Sequence, residues 1–198
     1  VPLDVANIES VRDICATFRP EIIIHAAATK YVNISEEQPL ECIDVNITGS
    51  QNVARVAVAN KIQTVIGIST DKAAPPVNHI YGLSKAMMER MFCSLDYSTE
   101  TNFSCVRFGN IAWSTGSVFP IWKRMMESNN LIESTGSNMK RFIFSVDEAA
   151  DLVLTCIKNI HLTKGKILSQ KMKSAKILDV LEAWKDYVGT EWVPIQQR

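Results

Sequence analysis

The sequence predicts an α/β fold built on a doubly wound parallel sheet. Three observations carry that expectation. First, the β-branched run from Glu21 to His25 and the apolar run Thr64-Val65-Ile66-Gly67-Ile68 read as strands, and near-continuous apolar strands belong to parallel sheets covered on both faces. Second, apolar residues at helical spacing fill the segments between the strands. Third, polar side chains follow the second run at once, as Ser69-Thr70-Asp71-Lys72. Ligands of open α/β sheets sit at the carboxyl ends of strands, which is where these residues stand.

Taken in order, residues 7–19 read as a helix with Ile8, Val11, Ile14, Cys15 and Phe18 on one face, closed by Pro20. Asp4 is a candidate N-cap for it. The strand over residues 21–25 ends in His25-Ala26-Ala27-Ala28, where small side chains let a flat ligand approach the backbone; His25 itself reads as a core histidine. A long helix is expected from Glu36 to about Asn60. Asn46 within it must be hydrogen-bonded if buried, and Gly49 would let the helix lie close to the sheet. Pro75-Pro76-Val77-Asn78 reads as a loop. The helix from about Ile80 to Leu95 carries Met87, Met88, Met91 and Phe92 as a core stripe. A strand follows at residues 103–108, a short helix at 120–128 and a segment containing Arg141 at 139–144. Ser145 and Glu148 have capping-box spacing for a helix over 147–160. Residues 164–168 read as an edge strand and 177–188 as the last helix.

The composition narrows the function classes. The 198 residues suffice for one domain, and 46% hydrophobic content is enough for a buried core. Basic and acidic residues balance at 21 each, so nothing electrostatic points to nucleic acid or an anionic membrane. Cys15, Cys42, Cys93, Cys105 and Cys156 form no C-x-x-C pair, so no metal is expected, and they read as core residues of a reducing compartment. No apolar run approaches the roughly 18 residues of a membrane span, and no signal peptide opens the chain, which points to a cytoplasmic protein.

The chemistry centres on Thr70, Asp71, Lys72, Tyr81 and Lys85. Tyr81 and Lys85 lie four apart at a helix start and so share a face. A phenol has a reference pKa of about 10 and is a poor base at neutral pH. An ammonium one turn away stabilises the phenolate, so that it can take a proton from a hydroxyl. The plainer reading is a surface helix pair.

Tyr-x-x-x-Lys after a Ser/Thr at a strand end resembles the active site of the extended short-chain dehydrogenase/reductase superfamily. The fuller string, Ser69-Thr70-Asp71-Lys72-Ala73 then Tyr81-Gly82-Leu83-Ser84-Lys85, resembles its nucleotide-sugar 4,6-dehydratases, above all the inverting UDP-N-acetylglucosamine members of the polysaccharide biosynthesis family. The resemblance implies a Rossmann-like domain binding NAD or NADP, with the choice set by a strand that this sequence lacks. It spans essentially the whole chain and thins after about residue 160. No Gly-x-x-Gly-x-x-Gly loop occurs and no Met opens the sequence, so the expectation is a domain over 1–198 lacking about three N-terminal strands, or a degenerate relative. Residues 113–198 are expected to supply the substrate lobe.

The resemblance also assigns residues. It places Asp4 near the cofactor's adenine, Ala26, Ala27 and Ala28 beside the nicotinamide half, and Lys85 on the ribose. Asn46, in Asn46-Ile47-Thr48-Gly49-Ser50-Gln51-Asn52, would brace the active-site backbone. Lys30 faces the cofactor–substrate cleft, or else is a solvated loop lysine. Asn110, in Gly109-Asn110-Ile111, would hold the sugar nucleotide, and Arg141 its diphosphate unless it is a surface ion-pair residue. Trp113 and Thr115 stand where the family has a glycine and an arginine, and Trp113 either stacks on a ring or fills a gap.

In the implied reaction, oxidation at C4 acidifies the C5 proton, water leaves across C5 and C6, and the oxidation is reversed at C6. Tyr81 takes the O4 proton, Thr70 hydrogen-bonds near O4, Asp71 is the acid for the leaving hydroxyl, and Lys72 is the C5 base that returns a proton to the opposite face. Tyr81 favours the inverting subgroup, because retaining relatives carry Met there. A UDP-sugar is the expected partner, and relatives form homo-oligomers. The alternatives are a UDP-N-acetylhexosamine C4 epimerase, which needs only Thr70, Tyr81 and Lys85, and a non-catalytic sugar-nucleotide-binding relative.

Overall fold

A computed structural model describes residues 1–129, 132 and 139–188; Gln196-Gln197-Arg198, where the sequence ends, lie outside them. The chain forms two compact units. The first holds Val1–Arg107 and Asp151–Gln170, the second Phe108–Ala150 and Lys171–Arg198.

The first unit is built on a four-stranded sheet. Its order is β1 (Ile22–His25), β2 (Thr64–Thr70), β3 (Asn102–Phe108), β6 (Ile167–Leu168). β1 and β2 pair in parallel with Ile22 opposite Thr64 and His25 opposite Gly67, and β3 and β6 pair in parallel with Cys105 opposite Ile167. The α/β architecture expected from the strand runs is therefore present. β2 is buried almost throughout, as a continuous apolar run requires. β1 departs from the expectation of cover on both faces: it is an end strand, and Ile22 and Ile24 stay about half exposed.

Helix α1 (Ile8–Phe18) starts at Asn7, not Asp4. The Asn7 side chain accepts hydrogen bonds from the amides of Glu9 and Ser10 and so satisfies two otherwise orphaned N-terminal N–H groups. Asp4 instead accepts from the Ala6 amide at 2.9 Å. Arg19 ends the helix in the left-handed conformation, with φ 43°.

The single long helix expected from Glu36 is broken into four elements. α2 (Val32–Glu37) precedes Pro39, which opens α3 (Pro39–Ile43); a π-helical turn at Asp44–Thr48 then leads into α4 (Gly49–Ala59). Pro39 has no N–H to continue α2 and suits a first helical position instead. Gly49 does not face the sheet: a methyl built on it would lie 2.7 Å from Val5 Cγ2, so it admits the segment before α1. Asn52 fixes that segment by donating to the carbonyls of Val5 and Ala6, both at 3.0 Å.

Helix α5 (Ile80–Asp96) buries Met88 and Phe92 in a core shared with Val11, Val53, Val56, Val65, Phe103 and Cys105. The Phe92 and Phe103 rings pack at 5.3 Å. Met91 is partly buried, but Met87 is exposed and does not belong to the core stripe. The element α8 (Ile160–Thr163) returns the chain to β6, where the Ser104 hydroxyl donates to the Thr163 carbonyl at 2.9 Å.

The second unit contains a three-stranded sheet that the sequence did not announce. Its order is β4 (Asn110–Ile111), β5 (Lys140–Phe144), β7 (Ser174–Lys176); β4–β5 is parallel and β5–β7 antiparallel. Helices α6 (Val118–Asn129) and α9 (Ile177–Val188) share a core of Trp122, Ile132, Ile177, Leu181 and Trp184. α7 (Val146–Lys158) opens on the expected capping box, in which the Ser145 hydroxyl accepts from the Glu148 amide and the Glu148 carboxylate from the Ser145 amide.

Candidate active site

The first unit gathers the polar residues singled out in the sequence at the carboxyl end of β2. Thr70 is the last residue of that strand, and Asp71–Ala73 form one 3₁₀ turn after it. The Thr70 hydroxyl donates to Asp71 Oδ1 at 3.0 Å and accepts from the Lys72 amide at 3.3 Å, so one side chain bonds both residues that follow it. Lys72 Nζ lies 3.3 Å from Asp71 Oδ1.

α5 presents Tyr81 and Lys85 as buried groups, 8% and 3% exposed. A buried pair is not the surface pair considered from sequence. Lys85 Nζ donates to the Ile68 carbonyl at 2.8 Å and otherwise has only the Met88 sulfur, at 3.9 Å, among the described residues. Burial pushes the Lys85 ammonium down to about 8, against the opposing influence of Cys105, Glu89 and Cys42. Burial also raises the Tyr81 phenol. The hydrogen bond with Thr70 works the other way, and the Asp71 carboxylate adds to the rise. The phenol is thus stabilised neutral in this state, and a phenolate depends on donors turning toward it.

The start of α5 is held by partners that the sequence did not disclose. His79 caps it, its Nδ1 accepting from the Gly82 amide at 2.9 Å, and the Glu36 carboxylate accepts from the Ile80 amide at 2.6 Å. Histidine is not a favoured capping residue, so no sequence signal marked it. Further along α5, Glu89 is 2% exposed and accepts from Ser69 Oγ at 2.5 Å and from Arg107 Nε at 2.6 Å.

Asn46 is fully buried and well paired, as its position demanded. It accepts from the Thr29 amide at 2.8 Å, and its Nδ2 donates to the Thr29 carbonyl at 3.0 Å and to Ser84 Oγ at 2.9 Å. Ser84 Oγ donates in turn to the Tyr81 carbonyl at 2.8 Å. One side chain therefore ties the segment after β1 to the helix bearing Tyr81. It stands in the π-helical turn, a feature frequent at functional sites. His25 is the core histidine expected, 2.9 Å from Ser50 Oγ, its imidazole depressed to about 4 by burial and by the Lys85 charge.

These residues fit a nicotinamide cofactor. Ala26 and Ala27 are exposed on irregular backbone directly after β1, and no side chain beyond a methyl covers them from their own positions. Lys85 keeps N–H groups with no oxygen partner among the described residues. Asp4 is exposed, and Lys30 is exposed with its ammonium 5.5 Å from the Tyr31 ring centre.

Asn110 and Arg141 belong to the second unit, where both line one cavity of about 320 Å³ with Gly116, Trp122 and Ile177. Arg141 Nη1 donates to the Lys140 carbonyl at 3.1 Å. Trp113 takes a left-handed backbone, φ 63°, and is 56% exposed. Its indole stacks on Phe119 at 5.5 Å and lies 5.4 Å from Trp184, which settles that it joins an aromatic cluster of its own unit. Among the described residues no group of three or more His, Cys, Asp or Glu is placed to hold a metal, and no helix is long and apolar enough to cross a membrane.

The sequence matches the profile of the polysaccharide biosynthesis protein family over residues 1–196. The chain belongs to that family. Its relatives include proteins named for two different activities. An inverting UDP-N-acetylglucosamine 4,6-dehydratase of Campylobacter jejuni is 36% identical over 167 residues, covering 82% of this chain and 49% of the relative. A UDP-glucose 4-epimerase of Rickettsia bellii is 38% identical over 177 residues, covering 88% and 50%. The chain thus spans about half the length of the curated relatives it matches. The X-ray structure of Pen from Bacillus thuringiensis is 30% identical with a TM-score of 0.90, covering all of this chain and 63% of that one. More distant structures that share the fold were solved with NAD or with NADPH.

Proposed function

We propose that this polysaccharide biosynthesis family chain is the catalytic part of a nucleotide-sugar 4,6-dehydratase that acts on UDP-N-acetylglucosamine with NAD or NADP and inverts C5. The observation that carries the reading is the Asp71–Lys72 pair, 3.3 Å apart, on the same strand end as Thr70 and beside the buried Tyr81 and Lys85. An oxidation at C4 alone needs only the last three. Loss of water needs an acid and a base besides, and the turn supplies both.

Ala26, Ala27, Ala28 and Lys85 would hold the nicotinamide cofactor, which would supply a reversible oxidation of the sugar. The other steps fall to side chains. Tyr81 takes the O4 hydroxyl proton while Thr70 hydrogen-bonds that oxygen, and Lys85 stabilises the phenolate once its ammonium turns from Ile68. In the resting state Lys72 and Asp71 form an ion pair. Excluding water when the sugar binds favours the neutral pair, because desolvation penalises both charges. Passing one proton from Lys72 Nζ to Asp71 then produces an amine base and a carboxylic acid in one step. The amine takes the C5 proton as the C6–O bond breaks, and Asp71 protonates the departing hydroxyl as water. As the two electrons taken at C4 return to C6, Lys72 gives a proton to C5 on the opposite face, which saturates the C5–C6 bond and inverts that centre.

Asn110 and Arg141 are proposed to hold the nucleotide, the arginine as a planar, permanently charged partner for a diphosphate. The epimerase relatives favour a second reading, C4 epimerisation by Thr70, Tyr81 and Lys85. The test is to give the full-length protein UDP-N-acetylglucosamine and identify the product by proton NMR. A 4-keto-6-deoxy sugar supports the dehydratase; a C4 epimer without water loss moves the assignment to the epimerase; recovery of unchanged sugar from cofactor-loaded protein rejects this substrate.

A further inference from the structure

Gly82 occupies the first turn of α5, where glycine is among the poorest helix formers, and no positive φ requires it. Its reason is a close approach. A methyl group built on it collides with the Lys72 carbonyl oxygen and would lie 2.5 Å from His79 Cε1 and 2.7 Å from Val77 Cγ1. The Asp71–Ala73 turn therefore rests in a notch that only glycine leaves open.

A second fastening reaches the same turn from β3. Arg107 holds the buried Glu89 carboxylate with two N–H groups, Nε at 2.6 Å and Nη2 at 2.5 Å, and extends Nη2 to the Ala73 carbonyl at 3.5 Å. Glu89 in turn accepts from Ser69, two residues before the turn. The bidentate pair makes Arg107 a rigid strut, which a single-point lysine ammonium cannot reproduce.

We propose that Gly82 and Arg107 are positioning residues that lock the Asp71–Ala73 turn against α5, so that water elimination depends on them while oxidation at C4 does not. Among the described residues the Arg107 side chain bonds Glu89 and Ala73, not Tyr81, and the atoms that fill the Gly82 notch belong to Lys72, His79 and Val77. The catalytic half of this inference rests on the dehydratase reading; the mechanical half does not.

The experiment uses the full-length, cofactor-loaded protein and the variants Gly82→Ala and Arg107→Lys. Amide hydrogen exchange is read first. Lys72 and Ala74, whose amides bond Thr70 Oγ1 and the Asp71 carbonyl, should exchange about tenfold faster in both variants, with the α5 interior unchanged. Single turnover of UDP-N-acetylglucosamine is read second. Reduction of the bound nicotinamide should keep its rate within about twofold, while water loss slows by about tenfold or more. Unchanged exchange in the turn overturns the inference, as does an equal slowing of both chemical steps. If the wild-type protein oxidises the sugar without losing water, the dehydratase reading and the catalytic half fall together, and the exchange data still decide whether these residues hold the turn.

Discussion

Lys85 is where burial and charge compete most directly. Its ammonium is 3% exposed, and its pKa falls from 10.5 to about 8. Between those two values the unfolded chain binds more protons than the folded one, so stability rises with pH across that window. Lys85→Met should abolish that rise, measured by thermal unfolding at a series of pH values, and should lower turnover by about a hundredfold or more through the loss of phenolate support. His25 behaves with the same sign in another range. Its folded value of about 4 lies below its ordinary 6.5, so stability is lost as pH falls from 6.5 to 4, by about 3 kcal/mol if the whole shift is realised. His25→Gln can keep a bond to Ser50 and should flatten that acid limb in urea titrations. The role of His25 as a core residue was legible because it ends a β-branched run. The Glu89–Arg107 pair was not, because its members are 18 residues apart and meet only once α5 lies on the sheet.

Among the elements, those marked by local chemistry were read from sequence and those set by packing were not. Ser145 and Glu148 have the spacing of a reciprocal cap and form one. Ser145→Ala should cost about 1 kcal/mol, as caps do, read from the shift in denaturant midpoint. The last helix was equally legible, since residues 177–188 keep helical spacing throughout. The stretch from 36 to 60 looked like one helix because its apolar spacing continues through the π-helical turn, which periodicity cannot show. Asn46 within that turn makes bonds to Thr29 on both backbone groups and to Ser84. Asn46→Ala strands those buried partners and should destabilise by about 3 kcal/mol in equilibrium unfolding. β4, β5 and β7 escaped because strands of two to five residues are too short to display a two-residue alternation.

At the scale of the whole molecule, the proposed catalytic residues Thr70, Asp71, Lys72, Tyr81 and Lys85 all lie in the first unit, on two segments that adjoin in sequence. That adjacency is why the candidate centre could be read from one stretch of sequence, whereas Asn110 and Arg141 are placed only by the fold of the second unit. The family membership is shared with dehydratases and epimerases alike, so the decision between them falls to Asp71 and Lys72. In the proposed mechanism Lys72 is the base at C5. We would incubate the full-length protein and its Lys72→Ala variant with UDP-N-acetylglucosamine in heavy water and follow deuterium at C5 by proton NMR. The wild type should give a deuterated, inverted 4-keto-6-deoxy product, and the variant should lose C5 exchange while retaining oxidation at C4. Full C5 exchange in Lys72→Ala would contradict it.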